Sequence, residues 1–117
     1  MGRFVIQENA NGFTFKLLAA NGQSIATSEG YRTEAACRKG VESVIRCATK
    51  ARVADLTADT KLPPNPRFEL YEDKSGQFRF RLKARNGQII AVSEAYSTRT
   101  ACENGIESVK KNAAGEE

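Results

Sequence analysis

The 117-residue chain contains no histidine. Histidine is the commonest general base and the commonest metal ligand in proteins, so its absence weighs against many hydrolytic and metal-dependent enzymes. No apolar run approaches the roughly 20 residues that cross a bilayer. The segment from Met1 to Gln7 also has no apolar stretch of signal-peptide length. We therefore expect a cytoplasmic protein that has no membrane partner.

Cysteine is scarce and odd in number, with only Cys37, Cys47 and Cys102. In the absence of an export signal, we expect these thiols to be reduced. Cys37 and Cys47 lie ten residues apart on one predicted helix, a spacing that fits no zinc site. Cys37 and Cys102 fall among apolar helix positions, which favours buried structural thiols over nucleophiles. Glycine-rich phosphate loops are also missing, and we predict no catalytic residue, no metal and no cofactor.

The composition is that of a soluble globular protein, with 40% apolar and 27% charged residues. A chain of this length has little room for two independent cores. The formal net charge of +4 permits contact with an acidic partner, but it is too small to identify one.

The chain consists of two copies of one unit. At an offset of 65, residues 13–48 and 78–113 are identical at 20 of 36 positions. Upstream the match continues at an offset of 64, for example between Phe4 and Phe68. The second copy therefore has one extra residue near Gln77, which we expect a turn to absorb. Identity of this extent indicates duplication.

Each copy begins with a short strand, predicted at Phe4–Ile6 and again at Phe68–Tyr71. Apolar residues then recur at every second position, at Phe13, Phe15, Leu17 and Ala19 and at Phe78, Phe80, Leu82 and Ala84. This period of two, with aromatic residues on the apolar side, is typical of a half-buried strand.

The dipeptides Asn21-Gly22 and Asn86-Gly87 predict two-residue hairpin turns of type I′. A loop of this length sets the register of the strands that flank it. The predicted pairs in the first copy are Phe15 with Ser28, Leu17 with Ala26 and Ala19 with Ser24.

A helix completes each copy, with Thr33 and Thr98 as predicted N-caps. Gly40 and Gly105 lie inside these helices, where glycine costs about 1 kcal/mol relative to alanine. We interpret both as sites of close approach between helix and sheet. Apolar residues recur at steps of four, three and four, at Cys37, Val41, Val44 and Ala48 and at Cys102, Ile106, Val109 and Ala113.

One unit of about 46 residues buries too little surface to fold alone, so the copies should share a core. Residues 52–56 predict a fourth strand in the first copy, and the proline-rich Leu62–Pro66 predicts a connector. We predict an α+β fold in which two tandem β3-α(-β) repeats share one largely antiparallel sheet, with two helices packed on one face. The assignment is a single domain, 1–117, comprising repeat 1 (4–56), a connector (57–67) and repeat 2 (68–113).

Both copies contain Asn-Gly-Gln-x-Ile-Ala-x-Ser-Glu-x-Tyr, followed by a helix that ends in Gly-[Val/Ile]-Glu-Ser-Val. This pattern resembles the YegP-like family of uncharacterised bacterial proteins over nearly the whole chain. The resemblance implies β3-α-β units joined in one antiparallel sheet with exchanged C-terminal strands, and it implies no established activity. The chain departs from that pattern in the second copy, because residues 113–117 predict no strand after the helix.

One candidate site is duplicated with the fold. Glu29 with Tyr31, and Glu94 with Tyr96, place a carboxylate and a phenol between a strand and a helix. The functional interpretation is a polar pocket that occurs twice. The structural interpretation, which we favour, is that the carboxylate accepts hydrogen bonds from backbone donors near the helix start while the ring packs over the sheet.

The second candidate site occurs only in repeat 2. Four basic residues, Arg79, Arg81, Lys83 and Arg85, occupy the outward positions of its second strand. By the predicted register, Lys83 lies beside Ile90 and Arg81 beside Val92. Such a surface could contact phosphates or an acidic protein, although it lacks the interleaved aromatic residues that stack on bases. A solvated face that guards against aggregation is the commoner explanation.

These observations favour a small non-enzymatic interaction or structural module that binds a protein or itself. Weak, non-specific binding of nucleic acid or an acidic partner through the basic strand is the second hypothesis. An enzyme at the duplicated Glu–Tyr sites is the third. The patterns identify no particular partner.

Overall fold

The computed structural model describes residues 3–58 and 61–114. Its seven strands form a single sheet in the order β1-β2-β3-β7-β6-β5-β4, and two helices pack on one face of that sheet. This architecture confirms the predicted α+β fold. In chain order the elements are β1 (Arg3–Asn9), β2 (Gly12–Leu18), β3 (Ser24–Thr27), α1 (Glu34–Ala48), β4 (Arg52–Asp55), β5 (Arg67–Glu72), β6 (Phe78–Lys83), β7 (Ile89–Val92) and α2 (Arg99–Ala114).

The two repeats meet at the centre of the sheet, where β3 pairs with β7 in antiparallel orientation. The paired residues are Thr27 and Val92, which occupy the same position in the two repeats. An antiparallel pair of equivalent residues places an approximate two-fold axis between the repeats. Each repeat therefore contributes an antiparallel three-stranded half on its own side of that axis.

Strand β4 leaves repeat 1 and completes repeat 2. It pairs in parallel with β5, placing Val53 beside Phe68 and Asp55 beside Leu70. A parallel partner needs a crossover connection, which here runs from Leu56 through the proline-rich segment to Pro66. Within residues 3–58 and 61–114, no strand pairs with the outer edge of β1, so this sheet has seven strands.

The core lies between the sheet and the helices. Phe15 and Leu17 of β2 and Phe80 and Leu82 of β6 are almost fully buried. The apolar helix positions that pack against them, including Cys37, Val44, Cys102 and Ile106, are fully buried as well.

The helix glycines allow the predicted close approach. A methyl group added at Gly40 would overlap the Tyr31 ring and would lie 3.0 Å from Phe15. Gly105 stands in the same relation to Tyr96 and Phe80. Each tyrosine ring is stacked on its phenylalanine, with 6.3 Å between the ring centroids. A larger side chain in the helix would therefore displace the tyrosine.

Both helices begin as predicted. The Thr33 side chain accepts a hydrogen bond from the Ala36 backbone at 3.1 Å, and Thr98 accepts one from Ala101 at the same distance. These caps satisfy one of the backbone donors that the first turn of each helix leaves free.

The turn before β3 differs from the prediction of type I′. The Ala19 amide donates to the Gln23 carbonyl, and the Gly22 amide donates to the Ala19 carbonyl. Gly22 has φ of 85°, while no described non-glycine residue has positive φ. The loop therefore contains three residues, a type I turn followed by a left-handed glycine. The same geometry recurs before β7 at Gly87.

The longer loop changes the register of the flanking strands. Leu17 lies opposite Ala26, as predicted, but Leu18 rather than Ala19 lies opposite Ser24. The extra residue of repeat 2 is absorbed as expected, since its first turn has three residues between Asp73 and Gln77.

Repeat 1 should not fold as a monomer when it is produced as residues 1–62. Its β4 would lose its pairing partner, and one helix on three strands buries too little apolar surface. We expect an unfolded chain or a dimer by circular dichroism and sedimentation. A monomer that unfolds cooperatively would contradict this prediction.

Candidate functional site

The face of the sheet opposite the helices, here called the open face, is strongly basic. None of the described helices packs on it, since both lie on the other side. Strand alternation places the odd-numbered residues of β1, β5 and β6 on this face. Its seven cationic residues are Arg3, Lys16, Arg52, Arg67, Arg79, Arg81 and Lys83.

Glu69 of β5 lies among these cations with only 1% of its side chain exposed. Arg67 donates to its carboxylate at 2.6 Å and Arg81 at 2.7 Å. The Lys83 amine lies 3.3 Å from the same group. Three cations thus surround one carboxylate, leaving two positive charges in excess. Because its partners come from β5 itself and from neighbouring β6, Glu69 orders the centre of the open face.

Burial alone would raise the pKa of Glu69, but the hydrogen bonds from Arg81, Arg67 and Lys83 outweigh it and hold the pKa below its usual value. A carboxylate with a lowered pKa stabilises the fold above its unfolded-state pKa. That stabilisation is lost as the pH falls through the folded-state value. The cluster is therefore a source of acid sensitivity in repeat 2.

Arg79 is held at the margin of the open face by the turn between β5 and β6. Its guanidinium donates to Asp73 at 2.9 Å. Asp73 also accepts hydrogen bonds from Ser75 and from the Gln77 amide. The bond from Arg79 is the main cause that lowers the pKa of Asp73, followed by those from Ser75 and Gln77. Arg79 is therefore partly neutralised.

An aromatic ring lies on the open face, contrary to the sequence-based expectation. The Arg81 guanidinium lies over the Tyr71 ring, 4.8 Å from its centroid. Val92 is opposite Arg81, as predicted, but a register shift places Ile89 rather than Ile90 opposite Lys83. The centre of the face is thus a mixed cationic and apolar surface with one stacked aromatic group.

Arg85 does not join the other three residues of the predicted basic strand, because β6 ends at Lys83. It lines a separate groove of about 470 Å³ at the C-terminal end of α1. Arg46, Lys50 and Cys47 also line this groove.

The duplicated Glu–Tyr residues line two clefts related by the approximate two-fold axis. Glu29 and Tyr31 border a cleft of about 420 Å³ with the turn before β7. Glu94 and Tyr96 border one of about 330 Å³ with Gln23, Ser24 and Ile25. Each cleft therefore lies between the two repeats. The structure brings each carboxylate and phenol to the same cleft.

In each cleft the tyrosine ring packs against the core, between a phenylalanine of the sheet and a glycine of the helix. The Tyr31 ring lies between Phe15 and Gly40, and burial raises its pKa, with smaller effects of Cys37 and Glu29. Neither Glu29 nor Glu94 accepts a hydrogen bond from the helix start in the described residues. In the described residues, the backbone donors at the helix starts that bond to side chains bond to Thr33 and Thr98.

The thiols differ in exposure. Cys37 and Cys102 are fully buried, whereas Cys47 is partly exposed. Burial raises the pKa of Cys102 to about 11, with a smaller contribution from Glu103. Burial also raises the pKa of Cys37, reinforced by Glu34 and opposed by Arg38. Thiols in such surroundings are poor nucleophiles at neutral pH.

Sequence reasoning missed Glu69, its partner Arg67 and the aromatic Tyr71. Their signal was present, because Arg67, Glu69 and Tyr71 alternate with Phe68 and Leu70. A two-residue turn at Ser75-Gly76 would place Glu69 opposite Leu82, whereas the three-residue loop between Asp73 and Gln77 places it opposite Arg81. The burial of Glu69 was not predictable, because it depends on Ala54 of β4 lying beside it.

Comparison with known proteins finds the same unit elsewhere. A family model described as "Domain of unknown function (DUF1508)" matches residues 8–55 and 73–117. A UPF0339 protein encoded in the ptx operon 5' region of Stutzerimonas stutzeri is 36% identical over 109 residues, covering 93% of this chain and 86% of that protein. A UPF0339 protein of Treponema denticola is 64% identical over 47 residues, which cover 40% of this chain and 81% of that protein. That relative is about one repeat long.

The fold is similar to a solution NMR structure of yegP from E. coli, a protein of unknown function. The TM-score is 0.80 at 34% sequence identity, with 98% of this chain and 88% of that chain covered.

Arg81→Glu should destabilise the protein because it places a second carboxylate against buried Glu69. Breaking a fully buried ion pair lowers the free energy of unfolding by about 3–5 kcal/mol. Because Arg81 is 29% exposed and two cations remain beside Glu69, we expect a loss of roughly 2–3 kcal/mol, measured by urea unfolding. Arg85→Glu is the matched control and should change stability by less than about 0.5 kcal/mol. Equal effects of the two substitutions would contradict the role assigned to Glu69.

The thiols should label in a fixed order. Partly exposed Cys47 should react with a thiol reagent in the native protein, whereas Cys37 and Cys102 should react only once the protein unfolds. Mass spectrometry of labelled peptides, with and without denaturant, distinguishes them. Fast native labelling of Cys102 would show that this face of α2 is not packed against the sheet.

Proposed function

The chain belongs to the DUF1508 family, and from this premise we propose that it is a non-enzymatic binding module whose open face contacts an acidic macromolecule. The observation that carries the proposal is the charge of that face. Seven cations and one buried carboxylate lie on a surface that no described helix covers. Such a concentration of one sign attracts acidic partners and speeds their association.

The open face is also preorganised for binding. Glu69 fixes the Arg67 and Arg81 side chains, and Asp73 fixes Arg79. Long basic side chains lose rotamer entropy when a ligand orders them. Cations that are already held in place lose less, so they support affinity beyond their net charge.

The binding surface is asymmetric although the fold is duplicated. At the positions of Arg79, Lys83 and Glu69, repeat 1 has Thr14, Leu18 and Val5, respectively. The basic centre therefore belongs to repeat 2, while Arg3 and Lys16 extend it across repeat 1. We take the whole chain, 1–117, as one functional domain for this reason.

A non-enzymatic role agrees with the chemistry of the duplicated clefts. The phenols of Tyr31 and Tyr96 are directed at helix glycines, and burial raises their pKa values, which makes them poor general bases. The nearest thiols are buried, with raised pKa values. Neither cleft thus offers an activated nucleophile.

Among acidic macromolecules, the stacking of Arg81 on Tyr71 favours single-stranded nucleic acid. Aromatic rings and guanidinium planes stack on bases with little regard to sequence, while nearby cations contact the phosphates. With one aromatic ring on the face, we expect weak, sequence-tolerant binding that depends strongly on salt.

The experiment compares two double variants that remove the same charge from different faces. Lys16→Gln with Lys83→Gln removes two of the cations of the open face and leaves Glu69 paired with Arg67 and Arg81. Lys39→Gln with Lys111→Gln neutralises two exposed helix positions. Binding of fluorescent oligo(U) and oligo(dT) is measured by anisotropy over a range of salt concentrations.

Wild type and the helix variant should bind alike, whereas the open-face variant should bind about tenfold more weakly and lower the salt slope by about two. Equal losses in both variants would show that only net charge matters. Binding to polyglutamate but not to oligonucleotides would show that the open face binds an acidic protein, and would exclude nucleic acid as its ligand.

A further inference from the structure

Strands β1 and β5 occupy equivalent positions in the two repeats, but a further strand is paired only with β5. Strand β4 covers the outer edge of β5, where Phe68 and Leu70 are fully buried. Their counterparts on β1 are Phe4 and Ile6, which are only partly buried. In the described part of the chain, nothing pairs with the outer edge of β1. The chain thus shows, at one end, how the other end could be covered.

The charges beside these two edges are reversed. Asp55 of β4 forms an ion pair with Arg99 of α2, and Arg99 lies 3.9 Å from Glu103. In α1 the position of Arg99 is occupied by Glu34, and that of Glu103 by Arg38. Glu34 and Arg38 form an ion pair at 2.7 Å. Beside β1, Glu34 therefore stands at the position where repeat 2 has Arg99, the residue that pairs with Asp55 of β4.

Glu34 and Arg38 line a groove of about 440 Å³ along β1. Phe4, Ile6 and Phe13 form its apolar wall, and Glu8, Glu34 and Arg38 supply its charges. Two carboxylates against one guanidinium leave the groove acidic. It therefore differs in sign from the open face and lies at a separate edge of the molecule.

We propose that the outer edge of β1 binds an extended segment of a partner protein, with a lysine or arginine of that segment paired to Glu34. The segment runs parallel to β1, as β4 runs parallel to β5. An apolar residue of the segment lies beside Phe4, in the position that Val53 holds beside Phe68. Its basic residue lies beside Ile6, in the position of Asp55. Added strands of this kind gain affinity from backbone hydrogen bonds and specificity from alternate side chains.

The same charges disfavour a second copy of this chain as the occupant. Strand β4 of another molecule would bring Asp55 to Glu34, and like charges at one site oppose binding. Glu34 thus keeps β4 on its own β5 and prevents copies from joining end to end through an open strand edge. The proposal is independent of the function proposed for the open face, since it uses other residues and a ligand of opposite charge.

The test uses three synthetic peptides and the isotope-labelled full chain. The first peptide has the sequence of residues 50–57, the second carries Asp55→Lys, and the third exchanges residues 54 and 55 of the second. The second and third have the same composition, so only the side on which the lysine lies differs. Affinity is measured by fluorescence anisotropy, and the contact site by chemical-shift changes in NMR spectra.

The Asp55→Lys peptide should bind roughly tenfold more tightly than either control, because an attractive pair replaces a repulsive or absent one. Its shift changes should lie in β1 and the first turn of α1. No measurable binding, equal binding of all three peptides, or shifts confined to β4 and β5 would each overturn the proposal. Concentration-dependent dimers with shifts in β1 would assign the edge to a second copy, and would overturn it too.

A charge-exchanged variant tests the role of Glu34 directly. Glu34→Arg with Arg38→Glu gives α1 the arrangement that α2 already has at Arg99 and Glu103, so the helix should fold. This variant should prefer the native-sequence peptide to the Asp55→Lys peptide. An unchanged preference would show that Glu34 does not select the segment.

Discussion

The parallel pairing of β4 with β5 is the contact on which the rest of the molecule depends. It carries a strand of repeat 1 onto the edge of repeat 2, so neither repeat is complete without the other. It buries Phe68 and Leu70 and places Ala54 beside Glu69, which seals the carboxylate beneath its cations. Burial strengthens the field of that carboxylate on the groups around it. The order of the open face therefore follows from a strand that the chain exchanges between its halves.

The duplicated sequence accounts for the shared fold of the two repeats, and differences at a few positions account for the open face and the groove along β1. Val5 in repeat 1 corresponds to Glu69 in repeat 2, and Glu34 corresponds to Arg99. The first difference gathers cations on one half of the open face. The second reverses the charge beside the equivalent strand, from Arg99 paired with Asp55 in repeat 2 to Glu34 paired with Arg38 in repeat 1. Core positions such as Phe15 and Phe80 are identical, because both halves pack the same helix against the same strands.

Local patterns predicted the elements of the fold, because alternation, caps and helix glycines each have a local physical cause. Thr33 and Gly40 are examples that the structure confirms. The turn type was wrong because Asn21 keeps negative φ, and only the hydrogen bonds of the folded loop show this. The Glu69 cluster was missed because it joins neighbouring strands, β5 and β6, whose register depends on the turn between them. The charge reversal at Glu34 has meaning only once β4 is seen beside Arg99.

The central claim is that the exchanged strand joins the two repeats into one folding unit, and native-state hydrogen exchange tests it most directly. Exchange of the backbone amides of β2 and β6 is measured across low denaturant concentrations. The account predicts that both strands open with the same free energy and the same dependence on denaturant, because each opens only when the whole chain unfolds. If β6 opened at a lower free energy while β2 stayed protected, the repeats would be separate units and the claim would be contradicted.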